Sequence, residues 1–200
     1  MNKRSIDNRR DVLLILLYSP GKAGSINEPI SGKTRLVKML FLFKKEALPH
    51  FREGTQITND NFYEFFPWDF GPFSSQVYDD LTFFLLRDFI TNSETDEESL
   101  PESAEEWDHW LESGAQTCDI EADSCEYREE EFSLTPIGLK WVEHNLWACL
   151  SDSQKELLRQ FKTKLTKTPL RAILKYVYKQ YPEMTRESKI KDQILGQYLD

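Results

Sequence analysis

The chain has 200 residues, 40% of them apolar and 30% charged, with a net charge of −9 and three cysteines. This is enough apolar material for one sizeable core, or for two small ones sharing an interface. It excludes a helical membrane span, which needs ~18–20 uninterrupted apolar residues, because the longest run is Val12 to Tyr18; the odd, sparse cysteines form no disulfide framework, so a cytoplasmic protein without an export signal is expected.

Asp7 to Tyr18 reads as a first helix: Asp7 can cap it, and Val12, Leu13, Leu16 and Leu17 recur at helical spacing before Ser19-Pro20-Gly21 breaks it. Ser31 can cap a second helix over Lys33 to Leu48, with Leu36, Met39, Leu40 and Phe43 as its apolar stripe and Pro49 as its stop. Asn61 to Trp68 is dense in aromatic residues and suits an extended segment. Phe70-Gly71-Pro72 reads as a sharp turn that aims the next helix, which makes Gly71 and Pro72 structural residues. Ser74 caps that third helix, with Val77, Leu81, Phe84 and Leu85 on one side and Asp79, Asp80 and Arg87 facing away. Phe89-Ile90-Thr91 begins a strand whose partner is the alternating run Glu131 to Leu134, and Thr135-Pro136 opens a fourth helix. Three more helices follow. One is capped by Asp152 or Ser153 and runs to about Lys164; one starts at Pro169 and ends at Pro182, with Leu170, Ile173, Leu174 and Val177 on its face; the last covers Glu187 to Leu195 and ends at Gly196.

Helix, helix, helix, strand, strand, helix is the order of a winged helix. The expected fold is mainly α with a minor β component: a winged-helix-like domain over residues 1–150 and a C-terminal helical extension over 151–200 packed on it. An acidic insertion at about residues 92–131 interrupts the two-stranded wing; it holds 16 acidic residues and one basic residue, Arg128. Inside it, Trp107, Trp110 and Leu111 share one side of a short predicted helix over Ser103 to Ser113. The charge is segregated along the chain, with 11 Lys+Arg against 5 Asp+Glu in residues 1–53, 2 against 22 in 54–135, and 12 against 7 in 136–200. Segregation on this scale marks an interaction surface or a solvated segment.

Three stretches resemble known bacterial proteins. Gly32-Lys33-Thr34-Arg35-Leu36-Val37-Lys38-Met39-Leu40-Phe41-Leu42, then Phe70-Gly71-Pro72-Phe73-Ser74 with Val77-Tyr78, then Phe132-Ser133-Leu134-Thr135-Pro136-Ile137-Gly138 follow the order seen in YwgA-like proteins. The Gly-Pro pair is also similar to that of the related Panacea antitoxin family. The resemblance spans about residues 8–145 by order of elements. It implies a small, non-enzymatic accessory or antitoxin domain in bacterial regulation or defence, whose partner is a protein such as a toxin or a nuclease. The long acidic insertion and the basic C-terminal helices depart from that pattern.

No catalytic centre is legible. Ser31-Gly32-Lys33-Thr34 looks like the end of a phosphate-binding loop, but the first glycine which that motif requires falls at Asn27, and no buried strand precedes it. His50, His109 and His144 lie far apart with no nucleophile motif beside them, and the six residues between Cys118 and Cys125 exceed zinc-knuckle spacing. No cofactor or metal is expected. Two binding readings remain. In one, a protein-binding regulator uses Glu97, Glu98, Glu105, Glu106, Trp107, Trp110, Glu129 and Glu130 of the acidic insertion to engage a partner's basic surface or to mask its own. In the other, a transcriptional regulator binds DNA through a basic face of Lys33, Arg35, Lys38, Lys44 and Lys45 with Lys162, Lys164, Lys167, Arg171 and Lys175. Asp79, Asp80 and the acidic wing oppose the usual docking mode of such a fold. The clustered Tyr176, Val177, Tyr178 and Tyr181 can cap their own domain or pair two copies as a homodimer.

Overall fold

In the computed structural model, which describes residues 5–98 and 128–196, the first helix is a core helix. α1 (Arg9–Tyr18) is buried at every position from Asp11 to Tyr18, so the other elements must wrap it on all sides. Asn8, not Asp7, caps it, accepting from the backbone N–H groups of Arg10 and Asp11.

β1 (Ile30–Ser31) leads into α2 (Lys33–Leu42). Ser31 does not cap α2; its hydroxyl donates to Glu131 at 2.9 Å, and Gly32 takes the N-cap position at a φ of +82°. Nor does Pro49 stop the helix. The chain widens into a π-turn over Phe43–Ala47 and continues as α3 (Leu48–Phe51). In a regular α-helix the proline ring would collide with the carbonyl four residues back and leave it without a donor, and the wider turn removes that conflict.

β2 (Phe66–Trp68) and β3 (Gly71–Phe73) form a hairpin in which Trp68 faces Gly71 and Pro67 faces Pro72. The turn is therefore Asp69-Phe70, and Gly71 and Pro72 belong to the returning strand. Two prolines can oppose each other because a non-hydrogen-bonded pair of an antiparallel ladder requires no N–H. Gly71 has a φ of +84°, and a Cβ there would sit 3.0 Å from Cε2 of Tyr178. Gly71→Ala is expected to lower stability by about 2 kcal/mol, combining left-handed strain with overpacking. Gly24, with a φ of +85° and nothing near its missing Cβ, supplies the control: Gly24→Ala should lose only about 1 kcal/mol in the same urea titration.

α4 (Ser75–Leu85) follows Ser74, which stands at the N-cap without capping: its hydroxyl is buried and has no hydrogen-bond partner. β4 (Ile90–Glu98) and β5 (Arg128–Leu134) pair antiparallel with Ile90 opposite Leu134 and Thr91 opposite Ser133. The two segments pair as expected, but the ladder is longer. Both ends of the acidic stretch expected at 92–131 belong to it; residues 99–127, with the helix expected at 103–113, fall outside the described residues. A two-stranded antiparallel ribbon makes its ladder through the backbone, whatever the side chains along it. β1 pairs with the other edge of β5, giving the order β1-β5-β4. Asn27 extends that edge, its side chain donating to the Leu134 carbonyl at 3.0 Å and accepting from the Leu134 N–H at 2.8 Å.

α5 (Pro136–Asn145) is capped by Thr135, and α6 (Asp152–Lys167) by Ser151 in a reciprocal capping box with Gln154. α7 (Leu170–Gln180) buries Leu170, Ile173, Leu174 and Val177, as its periodicity implies. α8 (Lys191–Leu195) is shorter than expected and ends at Gly196 in the left-handed conformation. One hydrophobic core runs from Ile6 to Ile194. Polar contacts stitch the C-terminal helices to it: Gln154 donates to the carbonyls of Phe51 and Glu53, and Arg35 to those of Leu165 and Thr168. Among the described residues, no helix is long and apolar enough to cross a membrane.

Candidate functional site

Three charged residues that look solvated in the sequence are buried. Asp80 is 0% exposed and accepts from Nε of Arg9 at 2.8 Å and of Arg10 at 2.7 Å, so α4 turns this carboxylate inward instead of presenting it. The hydrogen bond that Arg9 donates to Asp80 raises the pKa of Arg9. The Tyr63 hydroxyl is buried near the same carboxylate without a hydrogen bond of good geometry, and burial first, then the charge of Asp80, holds its pKa well above the ordinary phenol value. Lys162, 0% exposed, donates to the carbonyls of Leu17 at 2.7 Å and Ser19 at 2.8 Å. The C-terminal carbonyls of a fully buried helix have no water to bond, and this lysine serves them. Lys38, 3% exposed, donates to the Pro72 carbonyl at 2.9 Å and so ties α2 to β3. Burial pulls both lysines down to a pKa of about 7.

The β2–β3 hairpin is the most distinctive surface. Residues two apart on a strand share a face, so Phe66 and Trp68 point the same way, joined by Phe73 opposite Phe66. Phe73 lies 5.4 Å from Phe66, 6.1 Å from Trp68 and 5.3 Å from Tyr78, ring centre to ring centre. Two of these rings reach solvent, Phe66 at 40% and Trp68 at 52% exposure. The hairpin itself is held in place. Lys38 holds Pro72, Tyr178 packs against Gly71, and the turn carbonyl of Asp69 accepts from the Lys189 N–H and the Ser188 hydroxyl, each at 3.0 Å. The Asp69 carboxylate also pairs with Lys189 at 2.9 Å. Between hairpin and α2 lies a cleft of about 210 Å³, lined by Thr34, Val37 and Lys38, by Trp68 to Gly71 and Phe73, and by Tyr78 of α4. The first two motifs that carry the family resemblance thus meet at one place.

The basic set read from the sequence does not form one face. Lys38 and Lys162 are buried, Arg35 is spent on the carbonyls of Leu165 and Thr168, Lys44 donates to the Tyr63 carbonyl at 2.8 Å, and Lys175 is exposed. Lys45 is exposed near the rings of Phe41 and Tyr181, while Lys164, Lys167 and Arg171 are exposed on α6 and α7. Lys33 pairs with Glu130, which also accepts from Asn92 at 2.8 Å. Burial alone would raise the Glu130 pKa, and those two partners more than offset it, leaving it lowered. Of the acidic set, Glu97 and Glu98 lie in β4 and Glu129 and Glu130 in β5, while Glu105, Glu106, Trp107 and Trp110 fall outside the described residues. His50 and His144 are exposed and apart, and His109, Cys118 and Cys125 are not among the described residues. Among those described, no three His, Cys, Asp or Glu side chains are grouped to hold a metal. The tyrosines of α7 serve this chain: Tyr178 packs on Gly71, and Tyr176 and Tyr181 donate to Glu46 at 2.9 and 3.0 Å.

Sequence reasoning missed Lys38, Asp80 and Lys162 as inward-facing groups. Only the absence of a polar slot for Lys38 within the run from Leu36 to Phe43 hinted at its burial.

No curated protein matches the chain. A family model does, that of the SocA-like antitoxin Panacea domain, over residues 36–186. The match includes α2 from Leu36 onward, the hairpin, α4, β4, β5 and α7, while β1 and Thr34 of the cleft lie before it. By that match over well beyond half its length, the chain belongs to the SocA-like antitoxin Panacea domain family.

Proposed function

We propose that the chain is a non-enzymatic, antitoxin-like protein that grips a protein partner, a toxin or other defence component, through the aromatic hairpin, and steers it with the acidic ribbon. The observation that carries this reading is the rigid presentation of Phe66 and Trp68. Aromatic anchors on a preorganised element contribute most of the energy at many interfaces, because little side-chain or loop freedom is lost on binding. The ribbon adds long-range attraction for a basic partner, through Glu97, Glu98, Glu129 and Glu130 and the acidic residues between them. α2 supports the combination, since it carries Lys33 against Glu130 at one end and Thr34, Val37 and Lys38 at the cleft beside it. The Lys33–Glu130 pair also supports partial masking of the chain's own basic surface.

The element order and the β1-β5-β4 sheet support a winged-helix-like description of residues 1–150, with the β4–β5 wing interrupted by the acidic segment and residues 151–200 as a packed extension. DNA finds less support as a ligand: Lys38 is buried, Arg35 is engaged, and the acidic ribbon would repel phosphates.

The test is growth rescue in bacteria that express the product of the adjacent gene. The wild-type chain is expected to restore growth and to bind that product directly. Phe66→Ala with Trp68→Ala should lose about 2 kcal/mol or more of binding free energy while the melting temperature stays within about 2 °C, because both rings are surface groups. Undiminished binding by the double variant would remove the hairpin as the interface.

A further inference from the structure

Lys38 is a cation without a counter-ion. Among the described residues no carboxylate lies against its ammonium, and the acceptor it holds is the Pro72 carbonyl, which leaves two of its three N–H donors to be satisfied. Burying such a group is costly unless something pairs with it. It lines the aromatic cleft, and the one carboxylate of that cleft, Asp69, is engaged with Lys189 at 2.9 Å. The cleft's volume of about 210 Å³ is below the ~300–1,000 Å³ typical of pockets for drug-sized ligands. It has room for one residue and little more.

Resting on the partner-binding reading above, we propose that the cleft receives the C-terminal residue of the partner chain, its terminal carboxylate pairing with Lys38 and its apolar or aromatic side chain stacking against Trp68, Phe73 and Tyr78. A chain end brings a carboxylate and a side chain to a single Cα, which matches a small cleft with an ammonium at its wall and rings around it. A charge-assisted bond to a desolvated ammonium is worth more than one in water, so the carboxylate carries the discrimination and the rings carry the remaining affinity. Binding a carboxylate also favours the charged form of Lys38. Complex formation near neutral pH then takes up protons; of the groups that line the cleft with Lys38, the carboxylate of Asp69 is engaged with Lys189 and the phenol of Tyr78 stands on α4.

The experiment is calorimetry on the full chain with an N-acetylated tetrapeptide ending in phenylalanine, as free acid and as C-terminal amide, in buffers of differing ionisation enthalpy. The free acid is expected to bind at least about tenfold more tightly than the amide, with net proton uptake at pH 7.5. Lys38→Met should abolish that discrimination, whereas Trp68→Ala should weaken acid and amide alike. Equal affinity of acid and amide in the wild-type chain overturns the proposal, as does the absence of binding by either, and neither comparison depends on a variant that must fold. In the growth assay, rescue lost in the hairpin double variant but kept in Lys38→Met would leave the partner-binding reading standing and remove this one.

Discussion

Raising the pH from 7 to 10 is expected to make the folded chain more stable. Lys38 and Lys162 titrate near pH 7 in the folded state because burial penalises their charged forms, whereas an unfolded lysine keeps its proton to about pH 10.4. Below pH 7 both states are protonated and the full penalty is present. Between the two values the unfolded chain binds more protons than the folded one, so stability rises with pH, by up to about 1.4 kcal/mol per unit for each lysine. Above pH 10 the trend reverses, since unfolded tyrosines ionise while burial holds Tyr63 and Tyr178 protonated. Urea midpoints from pH 6 to 11 should therefore peak near pH 10. Lys162→Met and Lys38→Met should each flatten about half of the rise. Each also orphans buried carbonyls, those of Leu17 and Ser19 or that of Pro72, at about 1–3 kcal/mol per group. A midpoint that falls steadily from pH 7 would show that the two ammonium groups are hydrated.

Gly138→Ala is expected to be the most damaging small substitution. A Cβ at Gly138 would lie 2.1 Å from the Phe89 carbonyl oxygen and 3.0 Å from its carbon. Backbone atoms are the obstacle, and they are fixed on both sides. Thr135 caps α5 by accepting from the Gly138 N–H at 3.1 Å, while its own N–H donates to that same Phe89 oxygen, also at 3.1 Å. The Thr135 hydroxyl donates to the Asp88 carbonyl at 2.5 Å, locking the start of α5 to the end of α4. Relief would have to break the cap or shift β4 against β5. A loss of about 3 kcal/mol or more follows, which lowers the melting temperature by about 6–12 °C in a chain of this size. Ile137→Ala is the matched control. Ile137 is exposed, so its removal should stay within about 0.5 kcal/mol. Because alanine is the better helix former at both positions, a loss confined to Gly138→Ala places the defect in the Phe89 contact, and comparable losses in the two variants would overturn that assignment.

Much of the local structure was legible in the residues. The strand start at Ile90, the alternating run to Leu134, the Thr135-Pro136 helix start, the apolar face of α7 and the stop at Gly196 each follow from short-range pattern and chain stereochemistry. The candidate site was half legible. Its motifs stood out as Lys33 to Leu42 and Phe70 to Ser74, but their convergence on one cleft requires the hairpin to fold back over α2, and a turn assigned to Gly71-Pro72 instead of Asp69-Phe70 hides which rings share a face. The π-turn before Pro49 was illegible for a related reason: a proline signals a conflict with a regular helix without saying how the backbone resolves it.

The amino-acid sequence by itself determined most of the helices, the β4–β5 strands, the segregation of charge and the lack of a recognisable catalytic motif, because these depend on neighbours within a few positions. Only the tertiary structure decided the fate of individual charges. Asp80 meets Arg9 and Arg10 across 71 and 70 residues, and Lys162 reaches the end of α1 across 145. A charged side chain is buried when a distant partner or an orphan carbonyl compensates for its lost water, and no local pattern records where the chain will bring that partner.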